Sequence, residues 1–162
     1  MITNVDHSAL KVNQAAIIAL AVLAFVLNQP WLIAVVGLVM AVGTLLGRPG
    51  FLPLYRNVLK PLGLVKPDIL ADHPEPHRFA QGLGVVFLGL GFVFLMFDFA
   101  ALGWALSWLV VALAALNLFA GFCAGCAVYY WLSRLQVPGF NKTPPGGIIP
   151  GARPQRTGGS IE

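Results

Sequence analysis

The chain has 162 residues, of which 58% are hydrophobic and only 10% carry a charge. An ordinary soluble domain carries about 25% charged residues, so this composition excludes a soluble globular protein and indicates a membrane protein. The net charge of +4 does not indicate nucleic-acid binding, because the ten basic residues are scattered between apolar runs and form no stripe with interleaved aromatics. We therefore expect the lipid bilayer, and no nucleic acid, as a partner.

Four apolar runs predict four membrane-spanning helices, at about residues 10–28, 31–47, 74–97 and 102–133. The first two are joined by a turn that contains Pro30, and the last two by a few residues around Asp98. The predicted fold class is therefore an all-α membrane protein, a four-transmembrane-helix bundle made of two helical hairpins. This transmembrane domain would occupy residues 1–136.

The segments outside the predicted helices are a long connector and a tail. Residues 48–72 alternate apolar side chains with Arg56 and Lys60, which predicts an amphipathic connector in the cytoplasmic headgroup layer. Asp72, three positions before Glu75, is typical of a capping box at the start of the third helix. The tail, residues 137–162, is rich in proline and glycine with little to bury, and is predicted to be disordered.

The basic residues predict the orientation of the bundle. The two tight turns contain no lysine or arginine, and all ten basic residues fall on the other side of the predicted helices. Lysine and arginine are enriched in cytoplasmic loops of membrane proteins. We therefore expect the N-terminus, the connector and the C-terminus to be cytoplasmic.

Two cysteines, Cys123 and Cys126, lie three positions apart near the cytoplasmic end of the fourth predicted helix. On a helix this spacing places both sulfurs on one face, close enough to form a disulfide or to share a metal ion. Three interpretations remain open. The pair carries out thiol–disulfide redox or sulfur handling, it binds a metal, or it only packs beside Gly121 and Gly125 in a structural or small-molecule transport protein.

A thiol in apolar surroundings needs a positive neighbour to become reactive. His77 and Arg78 lie at the start of the third helix, and hairpin topology puts that start beside the inner end of the fourth. We therefore predict a catalytic role for Cys123, Cys126, His77 and Arg78. Cys126 would be the attacking thiol and Cys123 the resolving one, with His77 or Arg78 stabilising the thiolate. The partner would be a thioredoxin-like protein or a sulfurtransferase.

The metal interpretation adds a second histidine. His73 and His77 are four residues apart, and therefore share a face if that turn is helical. With Cys123 and Cys126 they match the ligand count of a tetrahedral zinc site. A metal such as zinc is the one cofactor that this pattern favours, although the prolines between the histidines disturb a regular turn.

Four segments together resemble an uncharacterised bacterial integral membrane family of unknown function: "VDHSALKVNQ", "LLGRPGFLPLYR", "DHPEPHRFAQGLG" and "LNLFAGFCAGC". The resemblance implies a small multi-pass protein of the bacterial inner (plasma) membrane, and supplies no activity, substrate or catalytic residue. In architecture the chain is also similar to the four-helix quinone-linked thiol oxidoreductases, which carry a Cys-x-x-Cys near a helix end. Their pair faces the periplasm, whereas this pair is predicted to be cytoplasmic and has no second pair beside it.

Overall fold

The computed structural model describes residues 3–144 and 149–154. These residues are mostly helical, with six α-helices, one π-helical turn and two short strands. In chain order the elements are β1 (Thr3–Asp6), α1 (His7–Val26), α2 (Pro30–Leu45), α3 (Leu52–Leu54), a π-helical turn (Tyr55–Leu59), β2 (Ile69–Asp72), α4 (Pro74–Met96), α5 (Ala100–Ala120) and α6 (Ala124–Arg134).

Three helices are long and apolar enough to cross a membrane, namely α1, α4 and α5, with 20, 23 and 21 residues. With a rise of 1.5 Å per residue each reaches roughly 30 Å, the thickness of the hydrocarbon core. The helix α2 is also apolar but has 16 residues, and therefore reaches only about 24 Å. The composition and the three long helices are those of a membrane protein.

Four of the helices pack around a common core. The helix α2 contacts α1 and α4, and α5 contacts α4 and α1. The core is filled by aliphatic side chains such as Ile17, Ile33 and Leu88, none of them more than 1% exposed. Small residues let the backbones approach, since a Cβ built on Gly103 would lie only 2.8 Å from the carbonyl oxygen of Gly91. In a bilayer such close packing is a main source of helix–helix attraction.

The connector is more structured than its sequence pattern predicts. Its strand β2 pairs antiparallel with β1 at the start of the chain, with Asp6 opposite Ile69, and no sequence pattern predicted either strand. Asp6 also caps α1, because its Oδ1 accepts the backbone N–H of Ser8 at 3.0 Å. Its Oδ2 accepts the hydroxyl of Tyr55, from the π-helical turn, at 2.8 Å. The connector is therefore tied to the start of α1, and β2 leads from that point directly into α4.

The start of α4 differs from the predicted capping box. The N-cap residue is His73 and not Asp72, and no side chain caps the helix. Asp72 is the last residue of β2, and its Oδ1 accepts the backbone N–H of His73 at 2.7 Å. The predicted capping box of Asp72 and Glu75 is wrong, because the extended strand conformation continues one residue further than the pattern indicates.

The prediction of one continuous helix from 102 to 133 is also wrong. The helix α5 ends before Gly121, which adopts a left-handed backbone conformation with φ of 65°. A residue with a side chain is strained in that conformation, so glycine is the residue that ends a helix there. Phe122 then forms a β-bridge with Ala152, and Cys123 is the N-cap residue of α6. The two cysteines therefore lie at the start of a short helix and not within a long one.

Residues 149–154, called the C-terminal strap below, pack against this break. The carbonyl oxygen of Gly151 accepts the backbone N–H of Cys123 at 2.8 Å. The guanidinium of Arg153 forms an ion pair with Asp68 of the connector. In the structure the strap therefore contacts the rest of the chain, although it lies in the predicted disordered tail. Residues 145–148 and 155–162 of the predicted tail lie outside the described residues.

Candidate functional site

The two cysteines form a disulfide at the N-terminus of α6, where Cys123 and Cys126 are 7% and 3% exposed. The Sγ of Cys123 accepts the backbone N–H of Cys126 at 3.2 Å. The first turn of a helix presents unpaired N–H groups and the positive end of the helix dipole, both of which favour a negative charge on sulfur. In the reduced pair the helix itself therefore stabilises a Cys123 thiolate, which the prediction of an unbroken helix did not foresee.

The structure brings His77 to the cysteine pair. Its Nδ1 lies 3.5 Å from the Sγ of Cys126. His77 belongs to the first turn of α4, and α6 packs across that turn. The close approach depends on Gly125, since a Cβ built there would lie 2.5 Å from the Cβ of Ala80 in α4. The contact between the imidazole and the Cys126 sulfur therefore follows from the packing of two helices.

Asp72 holds the other side of the His77 ring, with its Oδ2 2.9 Å from the Nε2 of His77. Burial alone would raise the pKa of this carboxyl, but the imidazoles of His7 and His77 and the N–H of His73 hold the pKa well below its usual value. Asp72 is therefore ionised and can only accept hydrogen bonds. The Nε2 of His77 thus carries a hydrogen, and its Nδ1 faces the sulfur.

His7 completes this group, although no sequence pattern predicted its role. It is 6% exposed. Its Nε2 lies 3.2 Å from the Oδ2 of Asp72 and has no hydrogen-bond partner among the described residues. Its ring meets the ring of His77 edge to face, with centroids 5.7 Å apart. In the sequence, His7 is an ionisable residue at the start of an apolar helix, near the polar Asn13 and Gln14. Only the pairing of β1 with β2 brings it to Asp72.

His73 and Arg78 do not join the cysteine pair. The backbone of His73 is extended, with φ of −97° and ψ of 123°, so the rule that residues four apart share a helical face does not apply. The His73 side chain is buried, and its Nδ1 has no hydrogen-bond partner among the described residues. Arg78 is exposed and lines a different cavity, together with Gly47 and Arg48.

Among the described residues, two sets of side chains offer ligand atoms close enough for one metal ion. Within each set the ligand atoms lie within 4.8 Å of one another, and the sets are His77 with Cys123 and Cys126, and His7 with Asp72 and His77. The predicted zinc site is assembled only in part, because His73 stays apart from the other three ligands. While the cysteines are joined as a disulfide, they offer no thiolate to a metal.

The disulfide borders two cavities and a cluster of aromatic rings. The smaller cavity, of about 30 Å³ and enough for one water molecule, is lined also by the C-terminal strap, Asp72 and His77. The disulfide packs against the aromatic rings of Phe79, Tyr129, Tyr130 and Phe140. Burial raises the pKa of Tyr130 to about 12, and the negative charge of Asp72 contributes in the same direction. Tyr130 is therefore neutral at physiological pH, and Asp72 is the anion of the site.

Three helices of membrane-spanning length, and a cysteine pair held at a helix N-terminus beside a histidine, are the features of a membrane protein with a buried cysteine–histidine cluster. The chain belongs to the family described as a domain of unknown function (DUF4395), which matches residues 5–134. The match includes His7, Asp72, His77 and both cysteines, and ends before the C-terminal strap. Comparison with curated proteins and with solved structures found no match.

Proposed function

We propose that this protein is a membrane thiol–disulfide oxidoreductase whose Cys123 and Cys126 alternate between dithiol and disulfide. The position of the pair carries the proposal. Cys123 accepts an N–H at a helix N-terminus, and Cys126 lies 3.5 Å from a ring nitrogen of His77. Both environments favour the thiolate, which is the reactive form of cysteine. A cysteine that only fills space among apolar side chains has neither.

The proposal includes an arrangement in the bacterial inner membrane. The helices α1, α2, α4 and α5 would all span the bilayer as two hairpins, with the short α2 accommodated by local thinning. The basic residues of the described chain lie at the helix ends next to the cysteines, and not at the turns around Asn28 and Asp98. Because positive loops face the cytoplasm, the cysteine pair would lie at the cytoplasmic surface.

The reaction is an exchange of two electrons and two protons with a thioredoxin-like partner. In the reduced pair, Cys126 passes its proton to the Nδ1 of His77 while the Nε2–H of His77 stays on Asp72. The Cys126 thiolate attacks the partner's disulfide, forms an S–S bond to one partner sulfur and releases the other. The Cys123 thiol passes its proton to the released partner sulfur, attacks the Cys126 sulfur, closes the intramolecular disulfide and releases the second partner sulfur, which takes the proton held by His77. Both partner sulfurs take up a proton, and the reverse sequence reduces the pair.

Trapping of the mixed disulfide tests this proposal. Full-length protein in lipid nanodiscs is incubated with oxidised thioredoxin and analysed by mass spectrometry. The Cys123→Ser variant lacks the resolving thiol, so it should accumulate a covalent complex through Cys126. The matched Cys126→Ser variant should accumulate much less. If the wild-type pair stays reduced and unmodified under oxidant, and neither variant forms a complex, the cysteines only pack and the proposal is wrong.

A further inference from the structure

A second group of side chains lies beside the cysteine pair. His7 and His77 both direct their Nε2 atoms at one oxygen of Asp72, at 3.2 Å and 2.9 Å from its Oδ2. The Asp72 and His7 side chains are 5% and 7% exposed, and that of His77 is 18% exposed. Two imidazole nitrogens and one carboxylate oxygen therefore converge at a single, nearly dry point.

The Nε2 of His7 is the atom that thiol chemistry leaves unexplained. It is buried and has no hydrogen-bond partner among the described residues. Buried polar atoms without a partner are rare in folded proteins, because the lost hydration is not replaced. The nitrogen lies 3.2 Å from the Oδ2 of Asp72 without forming a hydrogen bond to it. An atom placed between the three side chains would satisfy this nitrogen.

We infer that His7, Asp72 and His77 bind a divalent transition-metal ion through His7 Nε2, His77 Nε2 and Asp72 Oδ2. Their ligand atoms lie within 4.8 Å of one another. Metal–ligand bonds of about 2.0–2.2 Å in a tetrahedral site place neighbouring ligand atoms roughly 3.5 Å apart, so small movements complete the site. Two imidazoles and one carboxylate suit zinc or iron(II), and three protein ligands leave a position for water.

The surroundings of the three ligands fit this inference. The second oxygen of Asp72 is held by the N–H of His73 at 2.7 Å, and the second ring nitrogen of His77 lies 3.5 Å from the sulfur of Cys126. Metal ligands are commonly oriented by such outer contacts. The cavity of about 30 Å³ beside the three residues has room for one bound water.

The site is distinct from the one that the sequence pattern favours. It uses neither His73 nor the thiols, so it is available while the cysteines are joined as a disulfide. It changes the role of His77 in the proposed exchange reaction. A metal on Nε2 leaves the hydrogen of His77 on Nδ1, so a metal-bound His77 would donate a hydrogen bond to the Cys126 sulfur and would not take its proton.

Metal titration of the full-length, disulfide-bonded protein tests the inference. We expect one zinc ion per chain by calorimetry, and a visible cobalt(II) spectrum without the charge-transfer band of a thiolate ligand. His7→Ala should weaken zinc binding at least about 100-fold, since loss of outer contacts alone costs 10–100-fold. The matched His73→Ala variant should bind zinc like the wild type, and so should the double variant Cys123→Ser with Cys126→Ser. Circular dichroism shows whether each variant is folded.

Three results would overturn the inference: no zinc bound by the wild type, equal loss of zinc in His73→Ala and His7→Ala, or loss of zinc in the double cysteine variant. The last result would place the metal on the thiols. The experiments distinguish failure of the metal-site inference from failure of the proposed redox function. Zinc binding without a mixed disulfide leaves the metal site and removes the redox role, whereas a mixed disulfide without zinc does the reverse.

Discussion

The Nδ1 of His77 lies 3.5 Å from the Sγ of Cys126, although the two residues are 49 positions apart in the chain. One belongs to the first turn of α4 and the other to the first turn of α6. The reactivity of the cysteine pair therefore depends on how these two helices pack. The predictions below test this contact, the strap that covers it, the glycine that permits it and the tyrosine beside it.

Removal of the His77 imidazole should make Cys126 less reactive. In the Cys123→Ser background we expect His77→Ala to slow alkylation of Cys126 by iodoacetamide at pH 7 about tenfold, because the imidazole no longer stabilises the reactive thiolate. Alkylation is followed by mass spectrometry. His73→Ala removes a buried imidazole four residues away and should change the rate less than twofold. Equal slowing in the two variants would show that His77 acts only through packing.

Loosening the C-terminal strap should expose the disulfide. Arg153 anchors the strap through its ion pair with Asp68, and its side chain is 29% exposed. A partly exposed ion pair contributes up to about 1 kcal/mol, so Arg153→Ala should speed reduction of the disulfide by a phosphine roughly threefold to fivefold. Arg134→Ala removes an exposed charge at the end of α6 and serves as the control. An unchanged rate for Arg153→Ala would mean that the strap does not limit access.

A methyl group at Gly125 should separate α6 from α4. The added Cβ would lie 2.5 Å from the Cβ of Ala80 and 2.7 Å from its Cα, so one helix must shift. We expect Gly125→Ala to destabilise the folded protein by about 1–3 kcal/mol, as overpacking does. Gly89 has no atom within 4 Å of an added Cβ, and Gly89→Ala should be neutral or stabilise by up to about 1 kcal/mol through helix propensity. Unfolding in mixed micelles measures both, and equal effects would refute the role of Gly125.

Stability should fall at alkaline pH through Tyr130. Its pKa is raised to about 12 in the folded protein, whereas an unfolded tyrosine titrates near pH 10. The unfolded chain therefore loses the proton first, so stability is full below about pH 10 and falls as the pH rises toward 12. Tyr130→Phe should flatten this fall in thermal unfolding measured from pH 9 to 12.

Tyr55 provides a comparison for that experiment. Burial and its hydrogen bond to Asp6 raise its pKa to about 12 as well. We expect Tyr55→Phe to flatten part of the same alkaline fall, and the double variant with Tyr130→Phe to flatten more of it. An alkaline fall that is identical in the wild type and both single variants would show that other groups cause it.

The candidate site was only partly accessible to sequence reasoning. The two cysteines and His77 were identified because their residue types and spacing carry chemistry wherever they occur. His7 was missed because its neighbour Asp72 is set by the register of two short strands, which hydrophobic periodicity does not reveal. His73 was included in the predicted site because residues four apart share one face of a helix. That rule does not apply to it, since α4 begins one residue after His73.

The end of α5 at Gly121 could not be predicted either, because it also depends on a contact with a distant segment. A glycine in an apolar run is typical of close helix packing, and only its left-handed conformation shows that the helix ends there. That conformation is accompanied by a hydrogen bond from the N–H of Arg153 to the carbonyl oxygen of Gly121. The end of α5 is thus tied to a distant segment, which no local pattern records.

By itself the sequence determined that the protein belongs in a membrane and that its long apolar runs are helices. The free energy of transferring side chains and unpaired backbone groups from water to lipid depends on local composition. Hydropathy is therefore enough for both conclusions. The tertiary structure alone decided that Cys123 caps a helix, that His77 faces Cys126, and that His7 reaches Asp72. These contacts join segments far apart in the chain, and their geometry depends on packing and strand register, which composition does not encode.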